Sequence, residues 1–205
     1  MKNYINIFKI LPVAIILVSI GFLYGCKSDD PQKEDTPELI TKATLTFTPI
    51  GGGTPVVVSA TDPDGDGVQD IAVDGDIDLS IDTDYTLTIM LINELAAPTD
   101  PGYNISAEVE EEGAEHLFFF GWTNNVFFNP TGNGNIDNRA DGINYNDSDE
   151  NGLPIGLSTN WSSSVNAASG KFRVMLKHQP DLKSGTSTSS DGETDLDIEF
   201  IISVQ

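Results

Sequence analysis

From residue 39 onward, apolar and polar positions alternate with a period of two. Ala43, Leu45 and Phe47 alternate with Thr44, Thr46 and Thr48. Val56, Val57 and Val58 follow a Gly51-Gly52-Gly53 punctuation as a short β-branched run. Ile77, Leu79 and Ile81 alternate with Asp78, Ser80 and Asp82, and Tyr85, Leu87 and Ile89 with Thr86 and Thr88. The last stretch repeats the pattern in Leu196-Asp197-Ile198-Glu199-Phe200, within a strand expected over 194–204. Such alternation predicts strands with one buried face. Residues 172–178 predict another, with Phe172, Val174, Leu176 and His178 on one face. If residues 116–122 are extended, His116, Phe118, Phe120 and Trp122 share a face as well. No long segment carries a helical period. Residues 108–116 can form at most a turn of helix, with Gly113 inside it.

Short strands separated by Gly, Pro, Asn and Asp clusters predict an all-β fold, an antiparallel β-sandwich of immunoglobulin-like type, with a barrel as the alternative. One domain over 39–205 accounts for the pattern. Residues 129–142, rich in Asn and Gly, and 183–192, rich in Ser and Thr, read as mobile loops. The run Leu117-Phe118-Phe119-Phe120-Gly121-Trp122, with Phe127, Phe128 and Trp161, is apolar on both faces. Core packing is the expectation for most of it, and an exposed Trp for stacking on a sugar or a partner is the alternative.

The front of the chain breaks the period. Lys2 and Lys9 precede an apolar stretch over 10–24, shorter than the roughly 20 residues of a bilayer span. A secretory signal over 1–25 is the expectation. Leu23-Tyr24-Gly25-Cys26 resembles the bacterial lipoprotein lipobox, in which Cys26 is acylated after cleavage. Acyl chains hold a protein on a membrane without spanning it. Residues 26–38 are polar and contain Pro31 and Pro37, the composition of a tether. The pair Asp29-Asp30 resembles the export signal of Bacteroidota surface lipoproteins, which implies display on the cell exterior. Read as an ordinary solvated linker, it leaves the periplasmic face open.

Charge narrows the function. The chain has 32 acidic and 10 basic residues, a formal charge of −22. Such a surface repels phosphate backbones, which argues against nucleic-acid binding. Cleavage before Cys26 leaves 180 residues and removes two positive charges, taking the charge to −24. Cys26 is the only cysteine, so internal disulfides and thiolate-cluster metal sites are excluded.

The acids fall in clusters. Asp62, Asp64, Asp66 and Asp70 occupy positions 1, 3, 5 and 9 of a calcium-type loop, with Gly67 at position 6 and the Val68 carbonyl at position 7. Position 12 is Val73 instead of a bidentate Glu, with Asp74 and Asp76 nearby. An Asp/Gly turn between strands is the simpler alternative. A related run over 147–152 has Ile155 at its ninth position, which favours a hairpin turn. His116 and His178 are the only histidines. Together with Glu115 or Glu112 they have the donor types of a Zn²⁺ or Cu²⁺ site. The spacing lacks an H-x-H or H-x₃-H pair, so the simpler expectation is one hydrogen-bonded core histidine and one exposed one. Nucleophile elbow, H-E-x-x-H and phosphate-loop motifs are absent, and the chain reads as a non-enzyme.

Several segments resemble a family of small Bacteroidota lipoproteins: residues 44–53, 92–94, 110–113 with Glu115-His116, 146–152, 176–180 and 193–196. The family label "type 1 periplasmic binding fold superfamily" implies an α/β fold, whereas the strand period here implies an all-β one. The resemblance implies an accessory role beside TonB-dependent outer-membrane receptors, in uptake of a scarce solute or metal. A calcium-stabilised adhesion or structural module without a small ligand is the alternative.

Overall fold

A computed structural model describes residues 38–65 and 71–205. The expected signal segment, Cys26 and residues 26–37 of the expected tether lie outside the described residues. The domain is all-β, as the alternation predicts, with two sheets packed face to face and one short helix. Its strands are β1 (Lys42–Pro49), β2 (Val56–Thr61), β3 (Ala72–Asp74), β4 (Ile77–Leu79), β5 (Asp84–Ile92), β6 (His116–Trp122), β7 (Phe127–Asn129), β8 (Asn144–Tyr145), β9 (Ser158–Ser163), β10 (Ala168–His178) and β11 (Glu193–Val204). The larger sheet runs β3-β2-β1-β5-β9-β7, with β8 also paired to β9. The smaller runs β4-β11-β10-β6. Every pair is antiparallel except β11 with β4, which is parallel.

The alternating residues become the core. Leu45 and Phe47 of β1, Tyr85 and Leu87 of β5, Phe118 and Phe120 of β6, Phe172 of β10 and Phe200 of β11 are all buried in one cluster between the sheets. Each contributes roughly 2 kcal/mol of apolar burial. Trp161 of β9 sits at the centre, with ring centroids 4.7 Å from Phe127, 5.2 Å from Phe172 and 5.3 Å from Trp122. Trp161 is buried, and Phe128 is the exposed aromatic of the run.

The two loops expected to be mobile are instead fastened to the outer face of the smaller sheet. Leu117, Phe119 and Met175 form a second apolar cluster there, with Ile136 and Tyr145 packed against it. Asn135 is buried, and its Oδ1 accepts from Phe120 N at 2.9 Å while its Nδ2 donates to the Tyr145 hydroxyl. Arg139 Nε donates to Ser187 O at 2.7 Å, tying one loop to the other. Gly134 adopts φ +98°, and a Cβ there would lie 2.0 Å from Phe120 O, so only glycine permits this approach. The first of these loops and the segment around Ile155 also cover the free edge of β6: Trp122 N donates to Asn133 O and Phe118 N to Ile155 O. An open edge strand invites pairing with other chains, and this one is closed by its own loops.

Helix α1 (Ile105–Glu111) caps one end of the sandwich. Asn104 Oδ1 accepts from Ala107 N as its N-cap, and Ile105 and Val109, four residues apart, are its buried face. Ser106 Oγ accepts from Leu91 N at 2.6 Å, holding the helix to β5. Seven residues are too few for an independent helix, so packing holds it in place. Among the described residues, no helix is long and apolar enough to cross a membrane.

Candidate metal centre

The inner rows of β6 and β10 do not stay apolar to their ends. The row Trp122, Phe120, Phe118 ends in His116, and the row Phe172, Val174, Leu176 ends in His178. The two strands pair in register, with His116 opposite His178. Cross-strand partners are close enough for side-chain contact. The imidazoles stack, with centroids 4.7 Å apart and planes 9° from parallel. Both are buried, at 0% and 3% exposure, so the expectation of one exposed histidine is corrected. Each continues a core row, which leaves neither ring facing solvent.

Four carboxyl groups lie beside this pair. The chain turns from α1 into β6 through Glu112 and Glu115. His178 Nε2 lies 3.3 Å from Glu115 Oε2. Glu112, Glu115 and His178 each offer a ligand atom within 4.8 Å of the other two. His116 Nδ1 lies 3.2 Å from Glu112 O. A carbonyl only accepts, so Nδ1 carries the proton and Nε2 is the nitrogen turned toward the carboxyl groups. That nitrogen lies 3.7 Å from Asp195 Oδ2 and 3.8 Å from Glu38 Oε1.

Asp195 reaches the site through an irregularity. Leu176 pairs with Leu196, but Lys177 pairs with Thr194, so Asp195 is an extra residue on β11. A bulge of this kind re-aims a side chain, and Asp195 is buried beside Leu196 instead of facing outward. Its Oδ1 accepts from Glu38 N at 3.3 Å, and its buried Oδ2 accepts no hydrogen bond among the described residues. Glu38, placed by sequence at the end of the tether, is thereby held by the domain. Its carboxyl shares a hydrogen bond with that of Glu108, one turn before Glu112 on α1.

This much negative charge raises proton affinity. Burial, then the charges of Glu108, Asp195 and Glu112, push the Glu38 carboxyl up to about 7. Burial pushes Asp195 up to about 6, against the opposing pull of His178, the Glu38 amide and Lys177. Beside the cluster is a cleft of about 540 Å³, lined by Pro98, Asp100, Asn104, Glu108, Glu111 and Glu112. Glu108 and Glu112 therefore belong to both the cleft and the cluster.

Of the four residues expected to hold a transition metal, Glu112, Glu115 and His178 bring ligand atoms to within 4.8 Å of one another, and His116 stacks on His178 without joining that set. Sequence reasoning missed Glu38, Glu108 and Asp195. Glu108 was legible from its spacing to Glu112, which places both on one helical face. Only tertiary contact reveals the other two.

The expected calcium loop is partly described. Asp62 is buried, its Oδ1 accepts from Gly65 N at 3.1 Å, and its carboxyl shares a hydrogen bond with Asp64 that raises its proton affinity. Asp66, Val68 and Asp70 lie outside the described residues. The related run over 147–152 is a turn whose carboxylates are taken up by backbone amides and by Lys183. Asp149 Oδ1 accepts from Asn151 N and Leu153 N, and Asp147 accepts from Gly156 N and Ser158 N.

No family model, curated protein or solved structure matches the chain.

Proposed function

We propose that this chain is a non-enzymatic, lipid-anchored surface protein whose folded domain captures a divalent transition cation, Zn²⁺ or Cu²⁺. In this reading it serves as an accessory to uptake through a TonB-dependent outer-membrane receptor. One observation carries the metal part: Glu112, Glu115 and His178 converge to within 4.8 Å at the end of a packed core. Binding of a cation at 2.0–2.2 Å from each donor draws the triangle in to edges of about 3.4 Å. The mixed imidazole and carboxylate set suits Zn²⁺, and imidazole suits Cu²⁺ as well. The anchor and the receptor rest on the lipobox-like sequence ending in Cys26 and on the family resemblance.

The test is titration of Zn²⁺ and Cu²⁺ into the detergent-solubilised full chain. Tight binding by the wild type, lost in the Glu112→Gln/Glu115→Gln/His178→Ala variant, is expected. Equal affinity in the two proteins would sink the reading.

A second reading, a calcium-stabilised adhesion or structural module, is favoured by Asp62. Its carboxyl is buried and lies against that of Asp64. Paired carboxyls of this kind are hard oxygen donors of the sort Ca²⁺ takes when further oxygens join them.

A further inference from the structure

One lysine and one aspartate are held together out of solvent. Lys183 Nζ lies 2.9 Å from Asp149 Oδ2, and both side chains are 1% exposed. Lys183 follows β10 of the smaller sheet, and Asp149 sits between β8 and β9 of the larger one. The contact therefore links segments that belong to opposite sheets.

Each group is placed for more than an ion pair. Asp149 Oδ1 accepts from Asn151 N at 2.8 Å and from Leu153 N at 2.9 Å, whereas Oδ2 accepts from no backbone amide. Nucleophilic attack on Cγ sends charge onto Oδ1, and two amides already aimed at that oxygen form an oxyanion hole. Oδ2 is the oxygen left to depart, and it is the one beside the amine. Nζ also donates to Gly113 O at 2.6 Å, which fixes the end of the lysine chain. Cγ lies one bond beyond Oδ2, so a small movement brings Nζ to the near-attack distance of about 3–3.5 Å. Burial pushes the lysine below its ordinary range, which favours the neutral, nucleophilic amine. The Asp149 carboxyl is held below its own ordinary range, so the ion pair is the resting form from which reaction starts. The cost of keeping two charges out of water favours return of a proton from Nζ to Oδ2.

We propose that Lys183 and Asp149 condense into an isopeptide bond between Nζ and Cγ, formed by the folded domain on itself. The ammonium passes one proton to Oδ2, giving an amine and a carboxylic acid. The amine attacks Cγ, a second proton moves from nitrogen to the departing oxygen, and the Cγ–Oδ2 bond breaks. One N–C bond forms, one C–O bond breaks and one water leaves; nothing is oxidised or reduced. Condensation is unfavourable between free molecules in water, but groups oriented within one fold reach effective molarities of about 10⁵ M or more. The water has an exit, because Asp149 and Gly113 line a cleft of about 540 Å³ together with Glu110, Glu111, Asp147 and Glu150. Cys26 is the only cysteine, so no internal disulfide can tie the sheets, and an amide bond ties them whatever the redox conditions.

The test is mass spectrometry of the detergent-solubilised full-length protein, digested with trypsin under denaturing conditions. Residues 140–171 carry Asp149 and residues 178–205 carry Lys183, which is the only tryptic site inside either segment. The wild type should give the two joined as one branched peptide, lighter than their sum by one water and uncut after Lys183. Fragmentation should place the branch on Asp149. Lys183→Arg keeps the positive charge but supplies no nucleophilic amine, and it should give unbranched peptides at their full masses. Separate wild-type peptides, with cleavage after Lys183, would overturn the proposal and leave the ion pair standing. A branch on Asp147 or Glu150 instead of Asp149 would overturn it as well, and so would a branched peptide that persists in Lys183→Arg.

Discussion

His116 and His178 stack ring on ring across a β6–β10 register pair, each the terminal residue of an otherwise apolar inner row. The stack and the donor role can be separated. His178→Phe preserves an aromatic face in an apolar row but removes the nitrogen. We expect a melting temperature within a few degrees of wild type, and Zn²⁺ affinity at least tenfold weaker by calorimetric titration. Unchanged affinity would count against His178 as a ligand.

The buried carboxyls predict an unusual pH dependence for the metal-free protein. Glu38 moves from an ordinary 4.5 up to about 7, and Asp195 from 3.8 up to about 6. The folded state therefore holds more protons than the unfolded chain between these limits. Stability then falls as pH rises through that window, since it rises only where the unfolded state binds more protons. Urea unfolding with chelator present should give a higher midpoint at pH 5 than at pH 8. Glu38→Gln should flatten the slope. A midpoint that climbs from pH 5 to pH 8 would contradict the assignment.

Lys183 joins three segments. Its Nζ lies 2.9 Å from Asp149 Oδ2 and donates to Gly113 O at 2.6 Å, with both charged side chains buried. Burial pushes the lysine below its ordinary range. Burial also opposes the Asp149 charge, but the ammonium and the backbone amides of Leu153 and Asn151 prevail and hold that carboxyl below its ordinary range. Removing one partner leaves a buried charge uncompensated. Lys183→Met should cost about 3 kcal/mol. Adding Asp149→Asn, which keeps the Oδ1 acceptor for Asn151 N and Leu153 N and removes the charge, should recover part of that loss, and a double-mutant cycle in urea measures it. Additive losses would mean the two groups act independently.

The calcium reading makes a separate prediction. If Asp62 and Asp64 belong to a Ca²⁺ site, Ca²⁺ at a hundredfold excess over its Kd raises stability by about 2.7 kcal/mol. A thermal melt should shift upward by several degrees with Ca²⁺, return with chelator, and lose the response in Asp62→Asn. A melt indifferent to Ca²⁺ would remove the site.

Anchoring is testable in cells. Cys26→Ser should move the protein from the membrane fraction to the soluble one. Protease added to intact cells should digest the wild-type domain if it faces the exterior. A protected domain would place it on the periplasmic side.

Local sequence determined a good deal of this protein, because a strand with one buried face must alternate. That requirement made the strands and the core rows legible in the residue pattern alone, and placed His116 and His178 at the ends of those rows, but the burial of both rings was not among the expectations. The same rule misled at Asp195. The period of Leu196, Ile198 and Phe200 implies that residue 195 faces outward, and a bulge moves it inward. A one-residue shift exchanges the faces of a strand, and the residue types do not announce it. The Asn/Gly-rich and Ser/Thr-rich loops misled for a related reason. Their composition marks irregular backbone, but not the apolar outer face of Leu117, Phe119 and Met175 that they cover. Only the tertiary structure set the two imidazole planes parallel and brought Glu38 to His116. Both relations come from pairing β6 with β10 and from contacts between residues far apart in the chain, which no local pattern encodes.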